Sequence, residues 1–337
     1  MIDIKENFSL KKFNTFGFDI QCRYFSTFSN ETELKEILLL QKKLNIPLMV
    51  IGGGSNLLFK NDFNGFVIQP TNKNIEIKNE TNEYVELRVG AGENWDEFVE
   101  YCVNNNWGGI ENLSLIPGFV GTCPIQNIGA YGVEVKDVIL LVETFDIETF
   151  STHSFTNADC HFGYRDSIFK HDLKGKHIIT HVSFKLNKKV DFILDYGHLK
   201  TELLKYKIID LKNIRQAVID IRNSKLPKPE DTGNAGSFFK NPVVKNELAE
   251  QLKQQYPDIP IYVQNAKESK IPAGWLIEKA GWKGRNIGNA GVHSKQALVL
   301  INLGNATGAE VLHLAKEIQN SVKNQFGIEL EMEVNVV

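Results

Sequence analysis

The sequence predicts a mixed α and β protein of two or three domains, and three observations carry that reading. At 337 residues the chain is longer than one small core organises. Helix-start signals alternate along it with runs of period-two hydrophobicity. Pro227 and Pro229 then interrupt the pattern where a second body of the protein would begin.

The elements follow in order. Asn30 with Glu33 forms a capping box, which predicts a helix over about 31–44 that Pro47 closes. LMVI then runs as a strand into Gly52-Gly53-Gly54-Ser55-Asn56. Over 83–89, Val85, Leu87 and Val89 share one face, and Tyr84, Glu86 and Arg88 share the other. Asn94 with Glu97 opens a second helix that ends near Gly108. The stretch 109–132 has neither period and is too long for a simple connection, which marks it as a functional loop. Strands are expected at about 138–147 and 177–187, and a helical pattern over 196–226. Beyond the prolines come helices at 245–255, 272–280 and 308–325, the last with a Thr307/Glu310 capping box, and strands at 287–292 and 297–303. The final IELEMEVNVV alternates, with Ile328, Leu330, Met332, Val334 and Val336 on one side and Glu329, Glu331, Glu333 and Asn335 on the other.

Composition excludes several classes of function. With 38 basic against 41 acidic side chains, nothing in the charge favours a nucleic-acid partner. No apolar run reaches the length of a membrane span, and MIDIKENFSL carries no export signal, so a cytoplasmic protein with no membrane partner is expected. Cys22, Cys102, Cys123 and Cys160 lie far apart and read as reduced thiols. His177 and His181 fall on a predicted strand, where four residues separate side chains by roughly 13 Å, so no metal site is expected. No apolar stripe asks for a partner subunit, and a monomer is expected.

Glycine loops after strands let backbone N–H groups approach a phosphate, because no Cβ stands in the way. GGGSNL has Leu57 and GAGENW has Trp95 where the dinucleotide fingerprint of a doubly wound fold needs a small residue. Either loop alone reads as a tight turn. Together with Gly118, Gly121, Gly129 and Gly132 in IPGFVGTCPIQNIGAYG they suit a pyrophosphate with a flat ring beside it, the ligand itself left unnamed.

These same segments resemble a known family, the UDP-N-acetylenolpyruvoylglucosamine reductases, or MurB family. The likeness runs through NTFG at 14–17, GGGSNLLF at 52–59, GAGENW at 90–95, ENLSLIPGFVGTCPIQNIGAYG at 111–132 and FGYRDSIFK at 162–170. It continues through KLP at 225–227, NAGSFFKNP at 234–242 and QALVLIN at 296–302. Tyr196-Gly197 looks like the substrate-covering loop of the type I branch. The resemblance implies an α+β fold: an FAD-binding domain of the vanillyl-alcohol-oxidase (PCMH) type made of two α+β subdomains, 1–68 and 69–212, with an α/β substrate-binding domain at 213–326. A last strand, 327–337, would carry Glu333 back to the active site.

It further implies that FAD is held by Gly52, Gly53, Gly54, Ser55, Asn56, Leu57, Pro117, Gly118, Gly121, Thr122, Gln126, Asn127, Gly129, Ala130 and Ile179. One departure stands out: the family commonly carries small hydroxyl residues where this chain has Thr122-Cys123, and a thiol is the weaker donor. The implied reaction is NADPH-dependent reduction of an enolpyruvyl ether on a UDP-sugar during peptidoglycan synthesis. Adding a hydride to the CH₂ carbon leaves carbanion character beside a carboxylate, so the site needs a cation or acid there and a proton donor. By resemblance Arg165 and Glu333 stand at the carboxylate, Glu333 protonated to avoid like-charge repulsion, and Ser237 gives the proton. Tyr131, Tyr196, Lys225, Asn241 and Gln296 would bind the substrate. Read singly, Glu333 is a solvated carboxylate, Ser237 a turn serine, Arg165 a surface partner of Asp166 and Lys225 a solvated helix-end lysine. Two rivals remain: another oxidoreductase of the same flavin fold, and a flavin-binding protein without turnover.

Overall fold

In the computed structural model, which describes residues 2–337, Asn30 accepts a hydrogen bond from the Glu33 N–H and starts helix α1 (Glu31–Leu44). Glu33 reaches back to Ser29 N at 2.7 Å, and Asn45 ends the helix in a left-handed conformation. Leu34, Ile37 and Leu38 are the helix's buried stripe, at the i, i+3, i+4 spacing that one face requires.

The chain divides into two units. The first takes in the chain up to Phe8, then Gln21–Gly53 and Phe63–Ser224. One of its sheets has the order Lys5–Ser9, Gln21–Phe28, Phe63–Pro70, Leu48–Val50, the last three parallel. α1 is the crossover between parallel strands Gln21–Phe28 and Leu48–Val50, which only a connection of this length permits. Its apolar face meets Phe28, Phe66 and Ile68. The other sheet is antiparallel, ordered Thr152–Thr156, Ile139–Asp146, His177–Asn187, Tyr84–Gly90, Ile75–Glu80. Val85, Leu87 and Val89 are fully buried, as their alternation requires, and pack with Trp95, Phe98 and Val99 of helix α2 (Trp95–Asn104). The expected helical stretch 196–226 resolves into α3 (Leu199–Leu203) and α4 (Leu211–Lys225), which share an apolar cluster built on Leu199, Ile214 and Val218.

The second unit gathers Ser9–Ile20, Gly54–Asp62 and Lys225–Val337. Sequence-contiguous boundaries such as 1–68 carry no trace of this interleaving, because non-local hydrogen bonds set it: Thr15 N donates to Gly54 O, and Asn234 N to Thr15 O at 2.9 Å. Its main sheet is antiparallel, ordered Asn234–Ser237, Val299–Asn302, Ala290–Val292, Asn286–Ile287. The expected strand 287–292 is therefore a hairpin, turning where Gly288 has φ +58°. Helices α5 (Asn246–Gln255), α6 (Ala273–Lys279) and α7 (Gly308–Phe326) complete the unit. Thr307 and Glu310 form the reciprocal capping box at the start of α7, and left-handed Gly327 ends it.

The alternating C-terminus is corrected in one respect. Ile328, Leu330 and Val334 are buried, but the segment is no continuous strand and Val336 is exposed. Its N–H groups go to different partners, Glu333 to Phe238 O and Asn335 to Asn56 O, and only Asn335–Val336 forms a ladder, with Leu57–Leu58. A change of partner partway along breaks the regular pairing that alternation alone predicts.

Candidate active site

Three glycine-bearing loops of the first unit press backbone against backbone. A Cβ on Gly53 would lie 3.1 Å from Gly118 Cα, and one on Gly52 only 2.6 Å from Thr122 Cγ2. A Cβ on Gly121 would fall 2.6 Å from that of Ala91. Hydrogen bonds lock the second and third loops: Gly121 N to Ala91 O, Val120 N to Glu93 O, and Trp95 N to Gly118 O. Among the described residues, neither Gly52 nor Gly53 donates a backbone hydrogen bond, while Gln69 Nε2 holds the Gly52 carbonyl at 2.8 Å. Donor N–H groups left over on a surface without side chains fit the pyrophosphate of FAD.

Two expected contacts take a particular form. The Thr122 hydroxyl donates to Phe119 O at 2.8 Å and accepts from Phe119 N, so it is already at work inside its own turn. Cys123 lies in the apolar core, and burial pushes its thiol well above the usual cysteine range. The departure at Cys123 is thus absorbed by packing.

The remaining first-unit residues are arranged by buried asparagines. Asn127 donates to Gly163 O at 2.8 Å and to Glu134 Oε2 at 3.1 Å, and accepts from Lys136 N. Its whole side chain is engaged, which leaves only its backbone for a cofactor. The same bonds pin the turn carrying Arg165, which sits at φ +54°. The Arg165 guanidinium donates to the Gly129 carbonyl, so the arginine reaches the loop read as flavin-binding. Its neighbour Asp166 is engaged by His171 Nε2 at 2.8 Å. Asn112 Nδ2 donates both to Tyr131 O at 2.9 Å and to Ile193 O at 2.8 Å. That one side chain ties the Tyr131 loop to the segment leading to Tyr196, and a Cβ on Gly132 would lie 3.5 Å from Tyr196 Cβ. Ile179 is buried in the His177–Asn187 strand.

In the second unit, Ser237 and Glu333 are held on neighbouring backbone. The pairing of Asn234–Ser237 with Val299–Asn302 slips between Asn234 and Ser237, a bulge with Gly236 at φ +68°. Bulges re-aim the side chain that follows them. Asn234, buried, shapes this one by donating to Thr232 O and Pro227 O and accepting from Gly236 N. Ser237 emerges exposed, and its hydroxyl makes no hydrogen bond to the described residues, unlike a serine spent on its own turn. The next residue's carbonyl, Phe238 O, accepts from Glu333 N at 2.8 Å, and Asn56 Nδ2 donates to Glu333 O. Asn241 Oδ1 accepts from Ala273 N at the start of α6, which leaves its NH₂ as a donor. Gln296 Oε1 lies 3.2 Å from the Cβ that Gly274 would carry, over the same turn. Lys225 ends α4, half-buried. Ser55, Asn56, Leu57, Pro117, Gln126 and Ala130 lie on or beside the loops described. Sequence reasoning missed Asn112 and Asn234 because buried loop asparagines have no periodic signal.

A parallel sheet and an antiparallel one in the same unit, with glycine loops carrying spare N–H donors, fit an FAD-binding domain. Residues 23–148 match the model for an FAD binding domain, and residues 228–337 match that for the UDP-N-acetylenolpyruvoylglucosamine reductase C-terminal domain. A UDP-N-acetylenolpyruvoylglucosamine reductase of Flavobacterium johnsoniae is 48% identical, with 100% of both chains covered. One of Bacteroides fragilis is 46% identical over 99% of this chain and 100% of the relative. The structure of the MurB reductase from Thermus caldophilus superposes with TM-score 0.68 at 24% identity, covering 100% of this chain and 98% of that one. The 4-ethylphenol oxidase of Gulosibacter chungangensis shares the fold, with TM-score 0.54 and 12% identity over 97% and 84% of the two chains. The chain belongs to the UDP-N-acetylenolpyruvoylglucosamine reductase family of FAD-dependent oxidoreductases. No helix among the described residues is long and apolar enough to cross a membrane.

Proposed function

We propose that the protein carries out its family's reaction, the reduction of UDP-N-acetylenolpyruvoylglucosamine to UDP-N-acetylmuramate by NADPH in peptidoglycan precursor synthesis, with named residues in the following roles. FAD, held by the glycine loops, would supply the hydride chemistry between NADPH and the enolpyruvyl CH₂ when bound. Ser237 gives the proton to the carbon that bears the carboxylate. Arg165 places a permanent positive charge at that carboxylate, and Glu333, protonated, donates to it. Lys225, the Asn241 NH₂, Gln296, Tyr131 and Tyr196 hold the UDP-sugar, with Tyr196 covering it as in the type I branch. The subdomains 1–68 and 69–212 bind FAD, 213–326 binds substrate, and 327–337 carries Glu333. The protein works as a cytoplasmic monomer.

One observation supports this reading most: Ser237 is delivered by a bulge with its hydroxyl unspent, and the backbone of Glu333 bonds to the very next residue. The test is an anaerobic titration of the FAD-loaded protein. NADPH should bleach the flavin band, and one equivalent of enolpyruvyl-UDP-sugar should restore it. Bleaching without restoration would overturn the substrate assignment.

A further inference from the structure

The first turn of α2 grips the long glycine loop on both sides of Leu115. Trp95 Nε1 donates to Leu113 O at 2.9 Å, and Trp95 N donates to Gly118 O at 3.0 Å. Between those anchors the Leu115 N–H donates to Asp96 Oδ1 at 2.5 Å. The same oxygen accepts from Arg215 Nη1 at 2.5 Å, and Oδ2 accepts from Nη2 at 3.0 Å. Arg215 is buried, so its fork holds the carboxylate in one place.

Leu115 sits at φ +58°. Among the described residues ten non-glycine positions have positive φ; five are asparagines, which tolerate it, and Leu115 is the one aliphatic side chain. Its neighbour Ile116 precedes Pro117, and a proline ring keeps the residue before it out of the helical region. The reversal that leads into Gly118, itself at φ +135°, therefore falls on Leu115. A left-handed leucine is disfavoured on its own, by roughly ten- to a hundredfold in population. An ion pair between α2 and α4 explains why Asp96 faces Arg215. It gives no reason for the same oxygen to take a third donor from a strained leucine in the loop.

We propose that Asp96 is a positioning residue for the flavin: its fixed carboxylate holds Leu115 left-handed and so presets the bend that presents Pro117 and Gly118 to FAD. This rests on the reading of Pro117 and Gly118 as cofactor contacts. Without the carboxylate the loop leaves the bend, and FAD has to restore it on binding, which weakens the complex.

The test dilutes FAD-loaded protein and follows the fluorescence of released flavin, which gives a Kd; melting temperature is measured alongside with FAD in excess. Asp96→Ala removes both acceptor and countercharge, and should raise the Kd for FAD by about ten- to a hundredfold. Asp96→Asn keeps the acceptor, and should leave the Kd within about threefold of wild type although the melting temperature falls. Adding Leu115→Gly to Asp96→Ala should bring the Kd back to within about threefold while the melting temperature stays low, because glycine enters the left-handed region unaided. A Kd for Asp96→Ala within about twofold of wild type, an Asn variant as weak as the Ala variant, or a double variant no tighter than Asp96→Ala would each overturn the proposal. If Asp96→Ala does not fold, Leu115→Val decides, since it leaves the ion pair whole while a β-branched side chain resists the left-handed region. A loss of about tenfold there supports the proposal, and an unchanged Kd refutes it. Gly118→Ala tests the underlying reading: unchanged FAD affinity would remove this loop from the cofactor, and the proposal with it. Weakening by Gly118→Ala beside an unchanged Asp96→Ala would sink the proposal alone.

Discussion

Asp96 is the residue on which α2 and α4 depend together, and replacing it by Asn separates charge from shape. In the native chain its carboxylate receives the Arg215 fork and also accepts from Leu115 N at 2.5 Å. Asn keeps an acceptor for Leu115 but withdraws the forked countercharge, leaving only the exposed Glu100 carboxylate at 4.0 Å. The Arg215 side chain is only 10% exposed, so its charge is left in a poorly solvated place. Breaking a buried pair from one side costs about 3–5 kcal/mol. Asp96 is itself 25% exposed, which lets water share the load and brings the expectation to about 2–4 kcal/mol. At roughly 2–4 °C per kcal/mol for a body of this size, the melting temperature should fall by about 4–16 °C in differential scanning calorimetry. Adding Arg215→Met to Asp96→Asn should recover most of the loss, because the orphaned charge is gone. A single variant within about 1 kcal/mol of wild type, or a double variant no better than the single, would refute this electrostatic account.

Ser237→Ala should leave flavin reduction by NADPH nearly intact and abolish reoxidation by substrate in stopped flow; equal loss in both half-reactions would assign Ser237 to structure. Asn234→Ala removes the side chain that shapes the bulge, and should lower kcat by about tenfold or more with Ser237 still present, measured in steady state. Gly54→Ala sets a Cβ 1.9 Å from Phe13 O at φ +66°, and should prevent accumulation of soluble protein, checked by expression and gel filtration. His177 and His181 both have pKa values lowered from 6.5, chiefly by burial. The unfolded chain then binds more protons below that value, so stability is present above about pH 6.5 and is lost as pH falls through 6.5 toward the lower folded values. Melting temperature against pH should show this loss, and His181→Gln should flatten it.

Much of this fold was legible where the signal is local. Asn30 with Glu33 and Thr307 with Glu310 announced α1 and α7 because a cap bonds within three residues. Val85, Leu87 and Val89 announced their strand because one face is buried and the other is not. The parallel strand Phe63–Pro70 was not foreseen: FNGFVIQP is buried at four successive positions, Gly65 to Ile68, and so has no alternation to detect. The terminal segment alternated convincingly yet changes partner, a non-local fact that no periodicity contains. At the site, motifs pointed to Arg165, Ser237 and Glu333. Asn112 and Asn234, which hold Tyr131 and aim Ser237, looked like ordinary loop residues until their carbonyl partners were known.

The interleaved second unit also has a history in time. Ser9–Ile20 and Gly54–Asp62 leave the ribosome early, but their partners begin at Lys225. At about 5–20 residues per second, Gly54–Asp62 waits on the order of ten seconds or more before Lys225 is even made. During that interval Leu58 and Phe59, fully buried in the finished protein, have nothing to bury against. Nascent chains of this protein should therefore bind chaperones through this segment, and slowing translation across the codons for residues 63–224 should lengthen that engagement.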